Sequence, residues 1–200
     1  MWYLANIVIL MFSYMFVDAQ LLISGDGAQS LCNINANKPL FHIGCASFLL
    51  GYICITMSAI MLMKLFKPVD SRLARLIPIL LMIGVLTAFI GKATELYAVA
   101  TQSAQLIVLR DRIDMSAEIS WGLWLLPIGL LIFKSRMMPK TIGISLMMAC
   151  LSHFIAFAAF FFAPDFFAHA ETVIYAFGIG EFIFVAWLLV KGVLKEKQVS

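Results

Sequence analysis

Six apolar runs, each about as long as a bilayer crossing, constrain this chain more than any other feature. They lie near residues 2–23, 40–66, 73–97, 117–134, 141–163 and 172–192. A spanning helix needs about 20 mostly apolar residues. The expected fold is therefore all-α: a polytopic membrane protein, one bundle of six transmembrane helices, with residues 1–200 as a single transmembrane domain. A hydrophobic fraction of 63%, a charged fraction of 12% and a mean hydropathy of +1.00 lie far outside the soluble range. No basic segment precedes the first run, so it reads as a retained helix and not as a cleaved signal peptide.

The charges between the runs give an orientation, because cytoplasmic loops are enriched in Lys and Arg. Ten of the fourteen Lys and Arg fall on one side: Lys64, Lys67, Arg72, Arg75, Lys134, Arg136, Lys140, Lys191, Lys195 and Lys197. Lys38, Arg110 and Arg112 fall on the other side, and Lys92 lies inside the third run. The expected localisation is a bacterial inner membrane with both termini cytoplasmic, N-in and C-in. Two loops are long. Ser24 to Pro39 is rich in Gly, Asn and Ser, and Ala98 to Ser116 carries Arg110, Asp111, Arg112 and Asp114. The second has the character of an amphipathic interfacial helix continuing out of the third span.

A net charge of +3 is an orientation signal in such a chain, and no basic patch with interleaved aromatics points to nucleic acid. Cys32, Cys45, Cys54 and Cys150 share no C-x-x-C spacing, which argues against a zinc or disulfide framework. A phosphate-binding loop, an H-E-x-x-H helix, a G-x-S-x-G elbow and a dinucleotide fingerprint are all missing from the sequence. No cofactor and no metal are expected. The expected partner is the lipid bilayer, with a small-molecule or ion ligand, a partner membrane subunit and a second copy of the chain all left open.

Small residues mark the faces on which helices touch, since lipid supplies no hydrophobic drive and close approach needs short side chains. Gly44, Ser47, Gly51, Cys54 and Ser58 form one stripe in the second run, and Ser145, Ala149, Ser152, Ala156, Ala159 and Ala163 form another in the fifth. In the third run Gly84, Ala88 and Gly91 lead to Glu95. In the fourth, Glu118 leads through Gly122 to Gly129. Two carboxylates thus lie on packing faces.

An ionisable group inside a span costs roughly 2.5 to 3.5 kcal/mol on insertion scales, so each one asks for a partner or a task. Glu181 is the deepest carboxylate of the sixth run. At 1.5 Å per residue it shares a mid-depth level with His153 of the fifth. Asp18, His42, Lys92, Glu95 and Glu118 belong to the outer parts of their helices. Lys92 and Glu95, three residues apart, can pair directly. The candidate ligand-binding residues are Glu181, His153, Glu95, Lys92 and Glu118; for each, a structural tie between helices competes with a working site. Gly178, Gly180 and Pro127 mark places where helices weaken or kink.

Several short motifs, in order, resemble one bacterial membrane family. They are the Gly25-Asp26 turn with Asn33-Ile34, Leu40-Phe41 before Ile43-Gly44, and Leu65-Phe66-Lys67-Pro68-Val69. Pro139-Lys140 before Gly143 follows, then Gly180-Glu181 with Trp187-Leu188-Leu189 and Lys191-Gly192. The family is domain of unknown function 4386. The resemblance implies a compact multi-helix membrane protein, points to Glu181, and brings no activity. This chain departs from the family's pattern at His42, where an Arg is usual, and at Trp124, where a His is usual.

Three functions fit these residues. One is binding or translocation of a small cation, proton or small amphiphile through an outward-facing polar pocket. The second is an accessory or assembly subunit whose charges are structural. The third is an intramembrane enzyme with Glu181 and His153 as acid and base on a lipid.

Overall fold

The computed structural model describes residues 2–135 and 137–192. Met1 at the head of the first run, and Arg136, Lys195 and Lys197 of the orientation count, lie outside the described residues. Six helices are long and apolar enough to cross a membrane: α1 Trp2–Leu21, α3 Lys38–Phe66, α4 Ser71–Thr101, α5 Ala104–Ser135, α6 Lys140–Phe162 and α7 Pro164–Val190. A short helix, α2 Gly27–Ala36, follows α1. No strand occurs among the described residues. The protein is an all-α polytopic membrane protein. Large apolar side chains such as Val8, Leu50, Ile53, Leu86, Ile90 and Leu151 are half exposed or more, as expected of surfaces whose solvent is lipid.

The chain divides into two compact units. The first contains residues 2–58 and 85–117. Here α1 runs antiparallel to α3, and the small-residue stripe of α3 is what admits it. A Cβ on Gly44 would meet the Val17 side chain, and one on Gly51 would meet Leu10. Past Met11 α1 departs from the α-helix, which resumes at Ala19–Leu21; in between, Phe12–Asp18 forms a π-helix. Its wider turn, with i→i+5 hydrogen bonds, directs Ser13 and Val17 inward, each about 1% exposed. Ser13 Oγ donates to the Gly44 carbonyl at 3.3 Å, and the Tyr14 and Tyr52 hydroxyls pair at 3.1 Å.

The long loops differ from expectation. Residues 27–36 are helical because Asp26 caps them, its Oδ1 accepting from Gln29 N at 3.0 Å. Residues 104–116 are helical too, but they do not continue out of α4. Gln102 adopts φ 53°, a left-handed conformation that ends α4, and the chain starts α5 at Ala104. Ile107 of this segment packs in a core with Val17, Leu21, Leu31, Ile34, Phe41 and Ala98. Its charges mislead a sequence reader because Arg110 is buried and pairs with Asp111 and Asp114, leaving Arg112 as the exposed one.

The second unit contains residues 59–84 and 118–192, apart from 136. The stripes meet backbone here. A Cβ on Gly122 would lie 2.9 Å from the Cys150 carbonyl oxygen, and Gly129 and Gly143 each leave 3.1 Å to the other's carbonyl. α5 is interrupted at Trp124, between Ala104–Leu123 and Leu125–Ser135. Pro127 explains the break, because its ring collides with the carbonyl four residues back, that of Leu123. α7 is interrupted by a 3-10 turn at Phe177–Ile179.

Asp70 closes the loop before α4. Its Oδ2 accepts from Lys134 Nζ at 2.7 Å, and its Oδ1 accepts from Arg72 N and Leu73 N at 3.0 and 3.1 Å. The Lys134 hydrogen bond first, then those of Leu73 and Arg72, hold its carboxyl below the usual range. A lowered folded value stabilises the fold fully above the ordinary value of 3.8 and loses that contribution as pH falls below it. Asp70→Asn, which keeps a good cap, is therefore expected to flatten the melting temperature against pH below 4, and Asp70→Ala to lower it further at neutral pH. Melting curves in mild detergent at pH 3 to 7 check both; identical profiles for wild type and Asp70→Asn would remove the ion pair from the account.

Candidate functional site

Each unit contains one ionic cluster. In the first, Arg110 of α5 is the centre, about 8% exposed. Its Nη2 donates to Asp18 Oδ2 at 2.9 Å and its Nη1 to Asp111 Oδ1 at 3.3 Å. Its Nε lies 3.0 Å from both Glu95 Oε2 and Asp114 Oδ2. The Nε–H is aligned with neither oxygen, so those two contacts are ion pairs without a directed hydrogen bond. Lys92 Nζ donates to both oxygens of Glu95, at 2.8 and 2.9 Å, and lies 5.1 Å from the centre of the Phe48 ring. Glu95 is 1% exposed.

Local sequence explains how these groups meet. Glu95 ends the α4 stripe Gly84, Ala88, Gly91, every member of which is buried. Gly91 matters most, because a Cβ there would collide with Asp114 Oδ1. The π-helix of α1 carries Asp18 at its last position. Lys92 and Glu95 pair as their spacing predicts. Asp18, Arg110 and Asp114 were not assigned to a site by the sequence, although an acid in an apolar run and an Arg-x-x-x-Asp spacing were visible signals.

In the second unit, His153 of α6 is held between two carboxylates. Its Nδ1 is 2.6 Å from Glu118 Oε2 on α5, and its Nε2 is 3.4 Å from Glu181 Oε1 on α7. Gly122, one turn after Glu118, permits the approach: a Cβ there would lie 3.1 Å from that of His153. Gly180 does the same for Glu181, since a Cβ on it would collide with the Ser145 carbonyl of α6. Tyr175 of α7 neighbours Glu118. Side-chain exposure is 14% for His153 and Glu118 and 25% for Glu181, so Glu181 is the open member. His42 is exposed on α3 and belongs to neither cluster.

The family model described as "Domain of unknown function (DUF4386)" matches residues 1–192. The chain belongs to this family. No curated protein and no solved structure matches it.

The DUF4386 fold in this chain thus contains two differently built centres. In the Arg110 centre four carboxylates face two cations, and the groups nearest the middle are closed off. That geometry fixes α1, α4 and the first half of α5 together. In the His153 centre Glu118, His153 and Glu181 form one chain of contacts, with the imidazole between the two carboxyls. Histidine is the side chain that ordinarily changes charge near neutral pH. Among the described residues no group of three or more His, Cys, Asp or Glu is arranged to hold a metal ion. What the His153 centre offers is one imidazole between two carboxyls, of which Glu181 is the more exposed.

Proposed function

We propose that this membrane protein binds a small cation or a proton at Glu118, His153 and Glu181, with Glu181 as the contacting carboxylate. The observation that carries the reading is the asymmetry of the centre. Glu118 is tight on His153 at 2.6 Å, whereas Glu181 sits at 3.4 Å with a quarter of its side chain exposed. A structural tie favours two short, closed bonds; a binding site needs one group that can change partners. Lys92 and Glu95, pair-bonded beneath Arg110, act as structure in this reading. We further place the protein in the bacterial inner membrane with both termini cytoplasmic, supported by the Lys and Arg excess at one set of helix ends.

The test is the melting temperature of purified protein in mild detergent between pH 5 and 10. The wild type is expected to show a pH-dependent step. Glu181→Gln and His153→Gln are expected to flatten it, and Glu181→Gln to weaken the stabilisation by tetramethylammonium at least about tenfold, equivalent to 1.4 kcal/mol. A Glu181→Gln protein that melts lower by the same amount at every pH, with an unchanged ammonium response, would show that the carboxylate only ties helices together.

A further inference from the structure

The second unit also contains a groove of about 330 Å³ between α6 and α7. Its walls are Met148, Leu151, Ser152 and Ile155 on α6, with Phe166, Ala170, Val173, Ile174 and Phe177 on α7. Ser152 is the only hydroxyl in it, and its Oγ already donates to the Ala149 carbonyl at 2.8 Å. The groove therefore offers apolar contact and aromatic edges, with no polar anchor of its own. Its volume is in the range of sites for drug-sized molecules.

The groove's position relative to the His153 centre identifies an occupant. Phe177 lines one end, and a Cβ on the next residue, Gly178, would lie 3.8 Å from Oγ of Ser152 in the wall. Glu181 is three residues beyond Gly178 and contacts His153, the residue after Ser152. Ser152 in the wall precedes His153, and Ile174 in the wall precedes Tyr175, the neighbour of Glu118. An apolar body in the groove would thus end about one turn from Glu181, whose carboxyl shares the His153 imidazole with Glu118, so that carboxyls adjoin apolar walls. From that complementarity we infer that the site takes a lipophilic organic cation, its apolar body in the α6–α7 groove and its charge against Glu181. Phe166 and Phe177 add aromatic contact. This deepens the cation reading of Glu181 and rests on it.

Three probes separate the terms: tetraphenylphosphonium, tetraphenylborate of like shape and opposite charge, and tetramethylammonium without the apolar body. Binding is measured by melting temperature and equilibrium dialysis in nonionic detergent, corrected with protein-free micelles. Tetraphenylphosphonium is expected to bind at least about tenfold more tightly than either other ion, equivalent to 1.4 kcal/mol. Ala170→Phe, which fills the groove, is expected to remove that advantage and keep the pH-dependent step. Val173→Trp, at an exposed wall position, serves the same purpose if Ala170→Phe does not fold. Glu181→Gln is expected to lose both the phosphonium binding and the step. Equal affinity for tetramethylammonium, or full phosphonium binding by the filled-groove variants, would overturn the groove assignment and leave Glu181 as a cation site; equal affinity for the borate would overturn the charge pairing with Glu181. Unchanged phosphonium binding and an unchanged pH step in Glu181→Gln would instead remove the underlying reading.

Discussion

Arg110→Met is expected to prevent the protein from accumulating as a folded, monodisperse species in mild detergent. The guanidinium contacts Asp18, Glu95, Asp111 and Asp114 at 2.9 to 3.3 Å, and its removal leaves those acids facing Lys92 alone. Breaking a buried pair by deleting one partner typically costs about 3–5 kcal/mol, because the surviving charge is left without compensation. Total stabilities of about 5–15 kcal/mol leave little margin for such a loss. Arg110→Lys should rescue only in part, since one compact ammonium cannot present a planar fork to several carboxylates at once. Asp111→Asn, at the longest of the four contacts, should be mild. Size-exclusion profiles and melting temperatures check the series. An Arg110→Met protein that elutes and melts like wild type would mean that the cluster does not hold α1, α4 and α5 together.

The legible parts of this fold were those governed by lipid. The six apolar runs correspond to six helices long and apolar enough to cross a bilayer, which imposes a length on every helix that spans it. The fourth and sixth of these helices begin earlier than their runs, at Ala104 and Pro164. Small-residue spacing located the contact faces. Gly44, Gly51, Gly122 and Gly129 all meet atoms of a neighbouring helix where a Cβ would intrude; Gly180, read only as a weak point of its helix, does so too. His153 and Glu181 were read as sharing a level, and a 3.4 Å contact joins them.

Arg110 and Asp114 were hard to read for a physical reason. In sequence a run of charges between apolar stretches looks like a solvated surface, and only the partner carboxylates on α1 and α4 make burial affordable for it. The π-helix of α1 was equally hidden, since its wide turn follows from tertiary contacts with Gly44 and Tyr52 and not from local propensity. The α6–α7 groove had no sequence signature, because its apolar walls are the same residue types that face lipid elsewhere.

Gly180→Ala is the smallest change expected to disturb the His153 centre without touching its chemistry. A Cβ at this position would collide with the Ser145 carbonyl and lie 3.2 Å from Leu146 N, both backbone atoms that cannot rotate away. Relief requires α7 to move off α6. Forcing extra volume into a packed contact costs about 1–3 kcal/mol, or several degrees of melting temperature for a chain of this size. Glu181 is the next residue, so the same movement lengthens its contact with His153, and the pH-dependent step should weaken although all three titratable groups are present. Gly178→Ala is the control. Its added Cβ would meet only Ser152 Oγ at 3.8 Å, an ordinary contact, and alanine restores up to about 1 kcal/mol of helix propensity. It should melt at or slightly above the wild-type temperature with the step intact. If the two alanine variants behave alike, the close approach of α6 and α7 at Gly180 is not what positions Glu181.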